Sequence, residues 1–240
     1  MKRKIRKIFN NFGIDIHRFN PEEDFIHQVV LAMKKVKIDV VFDIGANVGQ
    51  FSSEIRNKGY NGKIVSFEPL TTARDRLVKI ASTDTNWYVH ERSAVGDFNG
   101  SIDINISKNS YSSSILPMLD LHLNAANDSQ YIGTEKTPII KLDSVAKNYL
   151  NEFSNCFIKI DTQGYESQVL DGASNILKRT KGILCELSLA PLYEGQDLWK
   201  DLIIRLEKKG FLLWSLERGF TDSQNGRALQ IDGLFLKKDN

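Results

Sequence analysis

The chain has 240 residues, 41% hydrophobic and 26% charged, with 32 basic against 30 acidic side chains and a formal net charge of +2. That allows one large domain with a sizeable core. The near balance of charge removes the general electrostatic case for a nucleic-acid partner, and no apolar run approaches the roughly 20 residues that span a bilayer.

Residues 1–36 read as a helical extension. The opening MKRKIRKIFNNFGIDIHRF lacks the continuous apolar segment of a signal peptide, while Ile5, Ile8, Phe9 and Phe12 recur at helical spacing beneath Lys2, Arg3, Lys4, Arg6 and Lys7. Two readings stand: a short helix packed on the domain, or a helix held by anionic headgroups at a membrane surface. The second would put residues 1–19 at the inner face of the membrane. Cys156 and Cys185 both lie in apolar runs and read as buried free thiols, which fits a reducing cytoplasm.

The pattern then alternates. KIDVVFDIG is a buried strand, and QFSSEIRNKGY is a helix stopped by Gly59. KIVSFEP is a second strand broken by Pro69, and TARDRLVKIA is helical. WYVHERSAV reads as a third, partly polar strand, and SIDINIS alternates as a half-exposed strand does. Residues 108–138 read as an irregular substrate loop, too long for a plain connection. FIKIDTQ and GILCELSL are strands separated by the helical YESQVLDGASNILKR. LWKDLIIRLEKKGF is a helix, and FLLWSLE and ALQIDGLFLKK close as a hairpin with one antiparallel strand. The expectation is an α/β fold: a single Rossmann-like domain over 1–240 with a mostly parallel seven-stranded sheet. Nothing in the sequence sets the oligomeric state.

Such a sheet binds ligands beyond the carboxyl ends of its strands. In VVFDIGANVGQF, Asp43 ends the first strand, and Gly45 and Gly49 let backbone pass close to a ligand. A dinucleotide turn wants glycine where Asn47 stands, and its pyrophosphate disfavours Asp43 nearby. S-adenosylmethionine, with a sulfonium, an ammonium and no phosphate, fits better. Glu68, about 20 residues on, suits a pair of ribose hydroxyls; nicotinamide enzymes share that feature, so it does not discriminate.

FDIGANVGQFS, VSFEPL, SAVGDFNG, SYSSSILP, IIKLDSV, FIKIDTQGYESQVLDGA and CELSLAPLYEGQ resemble, in order, the FkbM-type family of class I S-adenosylmethionine-dependent methyltransferases. The resemblance implies methylation of oxygen, on hydroxyls of sugars, glycan precursors or small secondary metabolites. It implies a cofactor site of Asp43, Gly45, Ala46, Asn47, Gly49, Glu68, Ser93, Ala94, Asp161 and Gln163. A nicotinamide oxidoreductase and a non-catalytic cofactor-binding module are the alternatives outside the class.

A hydroxyl must lose its proton to a positioned base. Asp161 could contact the amino-acid end of the cofactor, position the acceptor or take its proton. His122 is a base candidate because imidazole titrates near working pH; ordering the loop is its other reading. Ser112, Ser113 and Ser114 suit a polyol acceptor, with Tyr165, Glu166 and Glu186 as further substrate contacts. Glu186 is an acid inside an apolar run, and burying it unpaired is expensive, so it should face the site or pair with a cation. Lys159 is expected on the other sheet face. No tight acid cluster points to a metal.

Overall fold

The computed structural model describes residues 9–14, 20–21 and 23–238. Ile5, Ile8 and the basic residues from Lys2 to Lys7 lie outside them, as does His17. Phe9 and Phe12 lie within them, and Phe12 is 77% exposed.

The first long helix, α1 (Phe25–Lys35), starts where Asp24 accepts a hydrogen bond from the His27 backbone N–H at 2.8 Å. This is the side-chain cap that satisfies one of the helix's free donors. α1 buries Phe25, Val29, Val30 and Met33 and carries Lys34 and Lys35 in its last turn, where cations complement the helix dipole.

The chain then runs β1 (Val40–Ile44), α2 (Gln50–Asn57), β2 (Lys63–Phe67), α3 (Thr71–Ala81), β3 (Trp87–Val89), β4 (Ala94–Val95) and β5 (Gly100–Ser107). After it come α4 (Asp120–Ala125), β6 (Tyr131–Ile140), α5 (Leu142–Val145), β7 (Cys156–Ile160), α6 (Glu166–Gly172), β8 (Thr180–Ser188), α7 (Trp199–Lys208), β9 (Phe211–Arg218) and β10 (Gln230–Lys237). The main sheet has the order β3-β2-β1-β7-β8-β10-β9. Every pairing in it is parallel except those of β10, which runs antiparallel between β8 and β9. This is the expected seven-stranded architecture with its C-terminal hairpin.

Strand residues alternate between two cores. Phe42, Ile158 and Ile183 pack with Val169, Leu170, Leu202 and Leu206 on the side of α6 and α7. Val41, Ile64, Phe157 and Leu234 pack with Val29, Ile55 and Leu77 on the side of α1, α2 and α3. Both faces are covered, which is why these strands read as continuous apolar runs.

Three expectations are corrected. WYVHERSAV is not one strand: β3 joins the main sheet, and β4 joins a second sheet of order β4-β6-β5. The irregular span 108–138 contains a 3-10 turn at Ser110–Ser112, the helix α4 and most of β6. β6 carries Gly133 and Pro138 and leaves much of its length exposed, so no apolar alternation announced it. The helix after β7 stops at Gly172 and is followed by a separate 3-10 turn at Ile176–Lys178.

Candidate active site

At the carboxyl ends of β1, β2, β7 and β8 lies a cavity of about 500 Å³. Its first wall is the turn after β1. Gly45 has φ +74°, Asn47 φ +48° and Gly49 φ +92°. A Cβ on Gly45 would lie 1.8 Å from the Asp161 carbonyl oxygen, so the ends of β1 and β7 meet there backbone to backbone. Gly45, Ala46 and Asn47 line the cavity; Gly49 does not. A Cβ on Gly49 would fall 2.8 Å from Leu77 Cδ1 and 2.9 Å from Trp87 Cζ2. That glycine lets the turn pack onto α3 and β3.

Glu68 lines the cavity. Its Oε2 accepts from the Asn47 N–H at 2.8 Å and its Oε1 from the Leu70 N–H at 2.9 Å. Burial nevertheless raises its pKa to about 7. Each oxygen keeps a lone pair for a ligand hydroxyl. Ser93 and Ala94 line the wall beside it, with the Ser93 hydroxyl donating to the Glu91 carbonyl at 3.0 Å.

Asp43 is fully buried and lies beneath the cavity wall. Its Oδ2 accepts from Ser52 Oγ at 2.7 Å, and its Oδ1 faces Lys159 Nζ at 3.6 Å. Asp43, expected in the cofactor site, thus turns its carboxylate to Ser52 and Lys159 and is not among the lining residues. Lys159 corrects a second expectation: it pairs in register with Asp43 and shares its face. Lys159 lines the cavity, and its Nζ donates to the Gly45 carbonyl at 3.1 Å and meets Asp161 Oδ2 at 3.2 Å. Burial opposes its charge, but Asp161 and Asp43 outweigh burial and raise the ammonium pKa. One buried cation thus ties the end of β1 to the end of β7.

Asp161, Gln163 and Glu186 all line the cavity. Gln163, at φ +54°, donates from Nε2 to Asp161 Oδ1 at 2.9 Å and Glu186 Oε2 at 2.7 Å, while its Oε1 accepts from the Tyr193 hydroxyl at 2.8 Å. Glu186 Oε2 also accepts from Gln230 Nε2 at 2.7 Å. Burial, then Asp161, Glu166 and Asp232, push the Glu186 pKa well above the carboxylate range. Asp232, which sequence reading missed, pairs with Glu186 across β8 and β10 and lines the same wall. Burial and Asp161 raise it to about 7. Its sequence signal was the one that marked Glu186: an acid inside an apolar strand, ALQIDGLFL.

Across the cavity, His122 is buried against the rings of Tyr193 and Phe220, at centroid distances of 5.2 and 4.9 Å. Among the described residues its Nδ1 has no partner, and burial lowers its pKa to about 4. Ser112 and Ser113 line the wall and Ser114 does not. Their hydroxyls hold the loop: Ser112 with Ser129 Oγ at 2.9 Å, Ser113 accepting from the Ser107 N–H at 3.0 Å, and Ser114 donating to the Gln163 carbonyl at 2.7 Å. Ser110 reaches the cofactor-side turn through the Asn47 amide at 3.2 Å.

Tyr165 and Glu166 do not line the cavity. Tyr165 packs with Ala94 and Ile139. Glu166 Oε1 accepts from the Thr162 and Gly164 N–H groups at 3.0 and 3.1 Å and closes the start of α6. The remaining surprise is α1, whose Phe25 and Ile26 wall the cavity beside Gln50 and Phe51. Among the described residues, no group of three or more His, Cys, Asp or Glu side chains is placed to hold a metal ion.

Among solved structures, the chain is similar to an rRNA methylase from Streptococcus thermophilus, with 13% identity, 93% of this chain and 100% of that one covered, and a TM-score of 0.46. It is also similar to the precorrin-6y C5,15-methyltransferase of Geobacter metallireducens, with 14% identity, 89% of each chain and a TM-score of 0.46. Aeropyrum pernix fibrillarin, solved with natively bound S-adenosyl-L-methionine, shares 10% identity over 82% of this chain and 66% of its own, with a TM-score of 0.45. No curated protein matches. The sequence model of the methyltransferase FkbM domain matches residues 43–213, from Asp43 on β1 into β9 and across most of the cavity wall, and the chain belongs to that family.

Proposed function

We propose that the protein is an S-adenosylmethionine-dependent O-methyltransferase acting on a hydroxyl of a sugar or glycan precursor. The observation that carries this reading is the division of the cavity wall. One side is a glycine turn with a backbone-anchored acid, Gly45 to Glu68. The other is a polar wall of Ser110, Ser113, Gln163, Gln230 and the carboxylates of Asp161, Glu186 and Asp232. The first side fits the cofactor: Glu68, held by the Asn47 and Leu70 N–H groups, keeps lone pairs for two ribose hydroxyls. Bound there, S-adenosylmethionine supplies an electrophilic methyl group on a sulfonium.

The chain's own residues then hold the acceptor oxygen in line, about 3 Å from that methyl, and receive its proton. We assign the proton to the Asp161–Glu186–Asp232 side, where Asp232, raised to about 7, is matched to the task. His122, neutral above about pH 4, is assigned to orientation of the acceptor. Five lining carboxylates against one lysine also disfavour the pyrophosphate of a nicotinamide dinucleotide.

Place of action belongs to the same proposal. No described helix is long and apolar enough to cross a membrane. Exposed Phe12 and Ile14, beside the basic run from Lys2 to Lys7, support peripheral contact with an anionic inner leaflet. The test is incubation with labelled cofactor and glycan precursors, glycolipids and small-molecule extracts, followed by mass spectrometry. A methyl ether on a sugar is expected. Methyl on nitrogen or carbon overturns the oxygen assignment, and methyl on a non-sugar hydroxyl overturns the substrate class alone.

A further inference from the structure

We infer that the outer face formed by α1 and β9 is a docking surface for an anionic lipid bilayer. The inference deepens the place of action proposed above, but it rests on residues outside the amino-terminal segment.

Gln28, Leu31 and Lys35 share one stripe of α1 at helical spacing. Gln28 Oε1 accepts from the Ser215 hydroxyl at 3.0 Å, and Lys35 Nζ lies 6.0 Å from the centre of the Trp214 ring, so the stripe runs along β9. Leu212 pairs with Leu236, whose side chain belongs to the core on the α1 side, and therefore lies on the same face. Leu31, Leu212 and Trp214 are 51%, 42% and 52% exposed. Single apolar side chains on a surface are ordinary. Three that converge from two elements form a patch of the kind that marks an interaction site.

Charge selects the partner. α1 reads FIHQVVLAMKK and contains no acid. β9 contains one, Glu217, at the end remote from Leu212. Lys35 and Lys238 are exposed at the lower end of the patch, where the Lys238 N–H donates to the Gly210 carbonyl at 2.9 Å. Lys181, Lys209 and Lys237 gather at the same end of the sheet. Lys237 Nζ donates to the Lys209 carbonyl at 2.6 Å, and burial, then Lys181 and Lys209, lower its pKa. Among the described residues, none of these five lysines makes an ion pair with an acid.

Lysines gathered without counter-charges repel one another, and an anionic surface offsets that repulsion. A bilayer interface accepts both parts of this face. Tryptophan and leucine enter the boundary between headgroups and acyl chains, while the lysine ammonium groups stay level with the phosphates. The position also suits the cavity. Phe25 and Ile26, at the start of α1, wall it, and Leu31 follows Phe25 by about 9 Å along the helix axis. A bilayer on this face would hold the cavity close to a hydroxyl projecting from a lipid anchor.

Cosedimentation of the full chain with vesicles tests this, using phosphatidylcholine alone and phosphatidylcholine mixed with phosphatidylglycerol. Binding is expected to the mixed vesicles only, and less of it at high salt. Lipids brominated along the acyl chain should quench tryptophan fluorescence, and Trp214→Phe should remove most of that quenching. Lys35→Gln and Lys238→Gln should each lower the partition constant about fivefold, and Leu31→Gln and Trp214→Gln at least as much. All four positions are exposed, and calorimetry should show unchanged S-adenosylhomocysteine binding in each variant. Equal binding to both kinds of vesicle, or to neither, overturns the inference. So does anionic binding that survives in all four variants; if neutralising the basic run from Lys2 to Lys7 then abolishes it, the amino-terminal contact stands without this face. A wild-type dimer in analytical ultracentrifugation that Trp214→Gln dissociates gives the face to a second copy of the chain and also overturns the inference. None of these outcomes bears on the methylation of a sugar hydroxyl.

Discussion

At the scale of single residues, two close backbone approaches stitch together segments distant in sequence. Gly45 meets the Asp161 carbonyl, and a Cβ on Gly172 would lie 1.8 Å from the Gly96 carbonyl. The first contact joins DIGANVG to IKIDTQG and the second joins SAVGDFNG to VLDGA. Gly45→Ala should cost more than the about 1–2 kcal/mol of a left-handed alanine, because the methyl also drives β1 and β7 apart. Gly49→Ala meets chiefly the movable end of Leu77 and one edge of Trp87, so it should cost less. Urea denaturation of the two variants checks the order; a smaller loss at Gly45 would remove the backbone-contact argument. The chemistry at these positions was legible as small residues in a turn. Which contact each glycine serves was not, because a glycine in sequence does not say whether ligand, helix or strand fills the space above its Cα.

At the scale of elements, α1 serves both the fold and the site. Asp24 caps it and pairs with Lys58 on the loop after α2, while Phe25 reaches the cavity. Asp24→Ala should lower stability by about 1 kcal/mol. Phe25→Ala should lower it by about 3 kcal/mol or more, as truncation of a buried aromatic does, and should also weaken cofactor binding. Chemical denaturation gives the two losses, and an Asp24 effect as large as that of Phe25 would contradict the division of roles. The strands of the main sheet were readable because burial on both faces writes an unbroken apolar run. β6 was not, because its stability comes from pairing with β5 over eight register positions rather than from an apolar face. Lys159 was misplaced against the strand's own period-2 alternation, which puts it on the face of Asp161. Only the register between β1 and β7 puts it beside Asp43.

At the scale of the whole molecule, the acids of the site set how stability varies with pH. Burial raises the carboxyl pKa of Glu68, Glu166 and Asp232 to about 7. Between the unfolded carboxyl value near 4 and about 7, the folded state therefore binds more protons than the unfolded one, and stability falls as pH rises. His122 acts oppositely: its contribution is present above about 6.5 and is lost as pH falls through about 4. Three carboxyl groups outweigh one imidazole, so the ligand-free protein should lose stability steadily as pH rises from about 4 to about 7. At about pH 8 it should be less stable by several kcal/mol, since each tenfold gain in a group's proton affinity on folding is worth about 1.4 kcal/mol. Scanning calorimetry across that range checks the sign; a melting temperature that rises steadily to about pH 8 would show these acids ionised at little cost.

The position of β10 also fixes an order of assembly. It follows both its neighbours in sequence yet lies between them, and among the described strands β9 has no other partner in the sheet. A chain emerging from the ribosome with β9 made and β10 still to come cannot add β9 to the growing sheet in turn. Until β10 arrives, β8 has an open edge, the apolar side chains of Phe211, Leu213 and Trp214 have no strand beside them, and the wall that carries Asp232 is missing. Nascent protein at that stage is a template for pairing with other chains, and methyl transfer should begin only once this last insertion is complete.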